Sequence, residues 1–457
     1  MTRARVAWAI YLAIAGALAV YAVATWIGAL LARDAVLYGE GAVANAARLA
    51  RDRAAYLDLD PTAFVAANYP PFYLHLASLG DAFVAGRAAS IVSTLVVAAA
   101  VFVAARPAGA LAAGALAAGF LALAPVAIWG PAVKPDLVAL ALTVVAFVLL
   151  DRRRELAAVA AFALVLAALA KPTALLPAAA AAAWLAWADR GTLVRFAFGA
   201  AIGIAAGAAI VYLDSPGDVW RHVVVWNQLS WSLVQAALIA FLALVVVGAT
   251  AAVAALRGAF RGARGAYLAG ALGIVAFGGR EGATINYLLD LAAAVSLGIA
   301  AIAPALRASV AFPLLAVAQL VVGTLAINPL RVVPGRPPST GAWADPSRGG
   351  VEIFVHGSGR YLVEDSGLLA RTPVVPVVDD LFLWSRLVER GVIDGEPILA
   401  QVRDARIASV ISEVDLEHLE AAPAYERQRW ADVLVREVLA RYRLATHAGT
   451  LWIYEPR

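Results

Sequence analysis

Runs of about 20 apolar residues recur along the chain between residues 6 and 327, each long enough to cross the hydrocarbon core of a bilayer as a helix. A water-soluble core does not need segments of that length. Hydrophobic residues make up 63% of the 457 and charged residues only 15%, which places the chain among polytopic membrane proteins. With no cysteine there is neither a disulfide framework nor a thiolate metal site. A net charge of +4 makes no case for nucleic acid. The first run follows Arg3 and Arg5, yet it is too long for the core of a signal peptide and shows no small-residue cleavage site. It reads as a retained span.

About eleven helical spans can be placed, some of them short enough to be half-helices or tilted segments, near residues 6–31, 88–105, 108–128, 137–150, 157–170, 172–188, 193–213, 233–256, 266–277, 285–303 and 310–327. With the amino terminus cytoplasmic, the inner turns carry Arg3, Arg5, Arg106, "DRRRE", "ADRGTLVR", "RGAFRGARG" and Arg307, as the positive-inside rule asks. The first outer loop, residues 34–70, is also basic, with Arg48, Arg51 and Arg53. An odd number of spans then leaves the tail outside. In the first loop, Val43, Ala46, Ala47, Ala50 and Ala54 recur at helical spacing with Arg48 and Arg51 facing away, which predicts a helix lying in the membrane interface. Trp220, Trp226 and Trp231 fit an aromatic belt. After a proline-rich linker at 328–350, residues 351–457 read as a small α/β domain. Strands are expected in "RYLVED", "VVPVV", "IASVISE" and "TLWIYEP", and helices in "LFLWSRLVERG", "PILAQVRDA" and "RWADVLVREVLARY".

Several polar residues stand out against this background. Lysine occurs only at 134 and 171, in "KPD" and "KPT", and arginine serves everywhere else. Lys171 is the one charge between Leu156 and Trp187. Pro172 suits the first turn of a helix, so Lys171 sits where a helix amino terminus meets the outer boundary. A cation beside unpaired N–H groups calls for an anion between them, and a phosphate would satisfy both. The alternative is that both lysines snorkel. Asp136 either caps a helix start or orients Lys134 or another cation. Glu40, flanked by glycines in "YGEG", and Asp34 are acids at a cavity mouth that could serve as general base, or plain solvated carboxylates. Asn286 and Asp290 lie one helical turn apart in apolar sequence, where an acid is either functional or paired to a neighbouring helix. Arg280 and Glu281 precede them; His222 and Asn227 lie in the tryptophan loop; Tyr69 stands in "NYPPF". No metal-ligand spacing, nucleophile triad, P-loop or dinucleotide fingerprint occurs.

The order of segments carries a resemblance: one span, an outer loop with an acidic motif and an in-plane helix, then "NYPPFYLHLASL" and "GRAASIVSTL". With "VKPDLVALAL", "ALAKPTALL", "WNQLSWS", "GATINYLLDL", "VEDSGLLARTPVV" and "WIYEPR", the chain resembles the GT-C superfamily of polyprenyl-phosphate-sugar-dependent glycosyltransferases. Within it the pattern is similar to the bacterial family-39-like branch, related to protein O-mannosyltransferases and aminoarabinose transferases. The resemblance implies an inverting transfer on the outer face of the plasma membrane, with no metal or other cofactor and a lipid phosphate as leaving group. It implies a base in the first outer loop, often one of an Asp-Glu pair. Here that place reads Gly39-Glu40, with Asp34 as substitute. Lys134, Lys171 and Arg280 match donor-phosphate positions, and Tyr69, Asp136, Asn227, Asn286 and Asp290 are expected to bind substrate. The acceptor would be a glycan, lipid or protein hydroxyl. A transporter or lipid flippase would instead need ionisable groups near the midplane and inverted repeats; a third reading is a relative that binds a lipid-linked sugar without turnover.

Overall fold

The structure, a computed structural model, describes residues 2–32, 35–327, 355, 359–369, 374, 376–448 and 451–457, apart from the side chain of Asp214. The chain divides into two compact units. One comprises Met1–Gly28, Arg87–Ile210 and Ser230–Ala342, and the other Ala29–Gly86, Val211–Leu229 and Trp343–Arg457.

The first unit is helical. By length and composition, five helices of the described chain can cross a membrane: Arg3–Leu31, Ala82–Ala108, Arg190–Leu213, Leu233–Leu256 and Ile285–Leu306. Ala110–Ala122, Pro172–Ala188, Ala263–Phe277 and Ala311–Ile327 are apolar but shorter. Prolines account for part of the shortening. The run expected to span 108–128 breaks at Leu123, which is extended (ψ 130°), and resumes as Ala124–Trp129 with Pro125 in its first turn. Lys171 is likewise extended (φ −143°, ψ 118°) between the helix Ala157–Ala170 and the turn Pro172–Ala174, because a residue before proline is pushed out of the helical region. The expected boundary between 170 and 172 therefore stands, and its physical cause is the Lys-Pro peptide.

Small residues let these helices approach closely. Gly199, Gly203 and Gly207 recur every four residues and face Ala158, Val165 and Leu169 of the helix Ala157–Ala170. Leu233–Leu256 carries a π turn at Leu244–Gly248, which leaves backbone groups outside the regular ladder. Gln319 fills the gap: its Oε1 accepts from Thr250 N at 2.8 Å and its Nε2 donates to Leu244 O at 3.4 Å.

The second unit contains a four-stranded sheet in the order β1-β2-β4-β3, with β1 Tyr361–Val363, β2 Ser409–Ser412, β3 Tyr442–Ala448 and β4 Leu451–Pro456. β1 and β2 are parallel, and β4 is antiparallel to both β2 and β3. The helices Leu381–Glu389, Glu396–Arg403 and Asp432–Arg441 bury Trp384, Leu399 and Leu434 in a core shared with Leu362, Val410, Trp430 and Tyr454. Two expectations change. The helix predicted through Tyr442 ends at Arg441, and the chain continues as β3. Within "VVPVV" the described residues make a single bridge, Phe64 with Val378, since Pro376 has no N–H to give a ladder.

The predicted outer-loop helix forms over Glu40–Arg51, with Arg48 and Arg51 exposed and the small residues buried. Gly41 lies against the backbone of Ser366 and Gly367, so the buried face is a protein-packing face. Trp226 departs from the expected belt. It is buried against Phe64 and His222, with ring centroids at 5.0 and 4.2 Å, while Trp220 and Trp231 are exposed.

Candidate active site

In the helical unit, the polar residues singled out in the sequence meet at the starts of three helices. Lys171 precedes Pro172–Ala188, Asp136 opens Asp136–Arg152, and Asn286 lies in the first turn of Ile285–Leu306. Lys171 Nζ donates to Asp136 Oδ1 at 2.5 Å, and the two side chains are 12% and 2% exposed. Asn286 Nδ2 donates to the same oxygen at 2.7 Å. Its amide is turned that way because Asn286 Oδ1 accepts from Thr284 Oγ1 at 2.9 Å. Asp136 Oδ2 is buried and has no hydrogen-bond partner among the described residues. The Lys171 ammonium also sits 4.9 Å from the centre of the Tyr287 ring, a favourable place for a partly desolvated cation.

Asp290 accepts from Tyr267 Oη at 3.3 Å, and Tyr267 stacks on Phe147 at 4.8 Å. Asn286 and Asp290 thus take different hydrogen-bond partners, although Lys171 lies within electrostatic reach of both Asp136 and Asp290. Lys134 is within reach of Asp136, and its carbonyl accepts from Ser90 Oγ at 3.3 Å. Arg280 lies in the turn between Ala263–Phe277 and Asn286, its backbone paired with Trp231. Sequence reasoning missed Tyr267, Tyr287 and Thr284; the latter two flank Ile285-Asn286 in "GATINYLLD".

In the second unit, Glu40 occupies the first turn of its helix after Gly39, which adopts the left-handed conformation (φ 76°) that glycine permits. The Glu40 side chain is fully buried, and Oε2 accepts from Val36 N at 2.7 Å, closing the loop that carries it. Asp34, the other candidate acid, lies outside the described residues. Tyr38 pins the same loop: its Oη accepts from Phe382 N at 2.9 Å and its ring lies 4.0 Å from the Arg429 guanidinium. Arg429 in turn bridges Glu364 (2.8 Å) and Glu413 (2.9 Å). Burial pushes the Tyr38 phenol well above its ordinary range, so it stays neutral.

Tyr69 and Asn227 belong to a brace around one backbone segment. Ala67 N donates to His222 Nδ1 at 3.1 Å, Asn227 Nδ2 donates to Asn68 O at 3.0 Å, and Tyr56 Oη donates to Tyr69 O at 2.7 Å. Burial, with Arg221 adding to it, pushes His222 down to about 4, which keeps Nδ1 available as the acceptor.

The chain aligns with solved structures over nearly its whole length. The crystal structure of ArnT from Cupriavidus metallidurans in the apo state aligns with a TM-score of 0.58 at 13% identity, covering 94% of this chain and 95% of that one. The same protein bound to undecaprenyl phosphate aligns with a TM-score of 0.58 at 14% identity, covering 96% and 97%. The fold is GT-C. Archaeal oligosaccharyltransferase AglB from Archaeoglobus fulgidus, in complex with an inhibitory peptide and a dolichol-phosphate, aligns at 0.44 with 14% identity over 98% of this chain and 74% of that one. No protein-family model and no curated protein sequence matches the chain.

The helical unit offers a compact cation with two further N–H donors, held by a carboxylate that keeps one oxygen unengaged among the described residues. Such a set suits an oxyanion that also carries hydroxyl donors. The second unit holds the Glu40 carboxylate fully buried and bonded by a backbone N–H, rather than open at a cavity mouth as expected. Among the described residues no group of three or more His, Asp or Glu could hold a metal ion.

Proposed function

We propose that this protein is a glycosyltransferase that moves a sugar from a polyprenyl-phosphate donor to an acceptor hydroxyl on the outer face of the plasma membrane, with inversion. The observation that carries this reading is the Lys171–Asp136–Asn286 cluster in an apolar bundle of GT-C fold. A fold alone does not fix chemistry, but a charge cluster at the starts of apolar helices is costly unless it is used. The ArnT structure bound to undecaprenyl phosphate shows a lipid phosphate held by a chain of this fold.

In this reading Glu40 takes the proton of the acceptor hydroxyl as its oxygen attacks the anomeric carbon from the side opposite the phosphate. The bond to the phosphate breaks, and the phosphate leaves with the electron pair. Lys171, Lys134 and Arg280 stabilise the charge it gains. Lys171 presents a point charge rather than a planar fork, and Asp136 holds it in place. Asp136, Asn286 and Asp290 read sugar hydroxyls, and Tyr69 and Asn227 also bind substrate. The membrane part is assigned to residues 1–327 with about eleven spans, several of them shorter than a full crossing. The amino terminus is then cytoplasmic, and residues 328–350 link to an external α/β domain at 351–457.

The roles separate in kinetics. Glu40→Gln is expected to lower turnover by about 10²–10⁴-fold with donor affinity retained, and Lys171→Ala to weaken donor binding. A Glu40→Gln protein with normal turnover moves the base to Asp34, to be tested as Asp34→Asn; Lys171→Ala with normal donor binding makes the lysine a structural anchor.

A further inference from the structure

The second unit holds a cavity of about 190 Å³ that the reaction proposed above does not use, against about 40 and 50 Å³ for two cavities in the helical unit. Arg48 and Arg51, one turn apart on the helix Glu40–Arg51, line it together with Ser366. Ala82 and Phe83, the first residues of an apolar helix long enough to cross a membrane, form another wall, so the cavity lies beside the first turn of that helix.

Its polar groups are unbalanced. Neither guanidinium forms an ion pair among the described residues. Arg48 donates one bond to Asn45 Oδ1 at 2.7 Å, and Arg51 donates to the carbonyls of Ser78 and Gly80. A guanidinium has five N–H donors, so both retain donors for a ligand. Asp81 is the one acid on the cavity wall among the described residues, and its Oδ1 is committed to Phe83 N and Val84 N at 3.1 and 3.0 Å. Ser366 is 5% exposed, and its Oγ has no hydrogen-bond partner among the described residues. A buried hydroxyl left unbonded is costly, and here it lines a cavity roomy enough for much more than one water.

We propose that this cavity binds the phosphate of an anionic amphiphile, the headgroup of an acidic phospholipid, with Arg48 and Arg51 pairing to the phosphate oxygens and Ser366 Oγ donating to one of them. Guanidinium forks match phosphate oxygens, and basic residues beside the end of a span attract acidic lipid. The site stands whether or not the chain transfers sugar, because it is read by binding alone.

The test uses the full chain purified in a neutral detergent, with phosphatidylglycerol, phosphatidylcholine and glycerol phosphate as probes. Retention is followed by native mass spectrometry and stabilisation by thermal melting. Phosphatidylglycerol is expected to bind and raise Tm, less so at high salt, and phosphatidylcholine to do neither. Arg48→Gln should weaken phosphatidylglycerol by about tenfold or more. Ser366→Ala should weaken it several-fold without lowering the lipid-free Tm, since it removes an unbonded buried hydroxyl, which keeps the test decisive if Arg48→Gln perturbs folding. Competition by glycerol phosphate at similar affinity would support the phosphate site and assign it to a soluble ester. Equal binding of the two lipids, or unchanged binding in both variants, overturns the proposal.

Discussion

At the scale of single residues, the sequence shows that Lys171 is exceptional but not why it is tolerated. It is the one charge in a long apolar stretch, and its place before a helix start follows from the Lys-Pro step. Its partner does not. Asp136 lies 35 residues away, and the reading of "KPD" offered Lys134 or another cation as its counterpart. Tyr267 against Asp290 is equally non-local, since nothing in "ARGAYLAG" marks one tyrosine as an acid's partner. The pair predicts its own energetics. Lys171→Ala leaves Asp136 buried without its counter-charge and should cost about 3–5 kcal/mol of stability. Lys171→Ala with Asp136→Leu should recover much of that, because replacing both charges by apolar groups is often neutral. Thermal melting of the two variants checks this, and equal losses would mean the pair is not coupled.

His222 gives a pH dependence at the same scale. Its pKa is near 4 in the folded chain against an ordinary 6.5. Between those values the unfolded chain binds a proton that the folded chain refuses, so stability falls as pH drops from about 6.5 towards 4 and this contribution levels off below. Protonation would also remove the acceptor for Ala67 N. His222→Gln, which can still accept that bond, should flatten the stability–pH slope in this window. An unchanged slope would place the acid sensitivity elsewhere.

At the scale of elements, periodicity located most helices, and the failures have local causes. The outer-loop helix was legible from its small-residue stripe, but not the use of that stripe, because an alanine face suits a membrane interface and a protein wall equally. β3 was missed because "ARYRLATHA" continues an arginine-bearing helical pattern with no breaker before Tyr442. The π turn at Leu244–Gly248 leaves no mark in an apolar run; its one outward sign is Gln319, a polar residue in an apolar helix. The packing of Gly41 predicts that Gly41→Ala pushes the helix off the backbone of Ser366 and Gly367 and shifts Glu40 with it. Turnover should fall by about 10²-fold for an ångström-scale displacement while donor affinity holds. A loss of donor affinity with intact turnover would contradict this.

At the scale of the whole molecule, the membrane character and the GT-C resemblance were legible because both are spread over hundreds of residues. The proposed base is marked less clearly, since "YGEG" offers one acid where the resemblance leads one to expect two. The proposed arrangement puts Arg3 inside and Arg457 outside. A tag after Arg457 should be cleaved by protease added to intact cells, whereas a protected tag would place the tail on the cytoplasmic side and remove the argument for an external reaction. The central claim is the reaction itself. The most direct measurement is incubation of the purified chain in lipid nanodiscs with a panel of polyprenyl-phosphate sugars and a cell-envelope extract as acceptor, following donor consumption and release of polyprenyl phosphate. The account predicts that one donor is consumed by the wild type and at least about 100-fold more slowly by Glu40→Gln. Binding of a donor without its consumption, under conditions where a known transferase of this fold consumes its own, would contradict it and leave a lipid-linked-sugar binder.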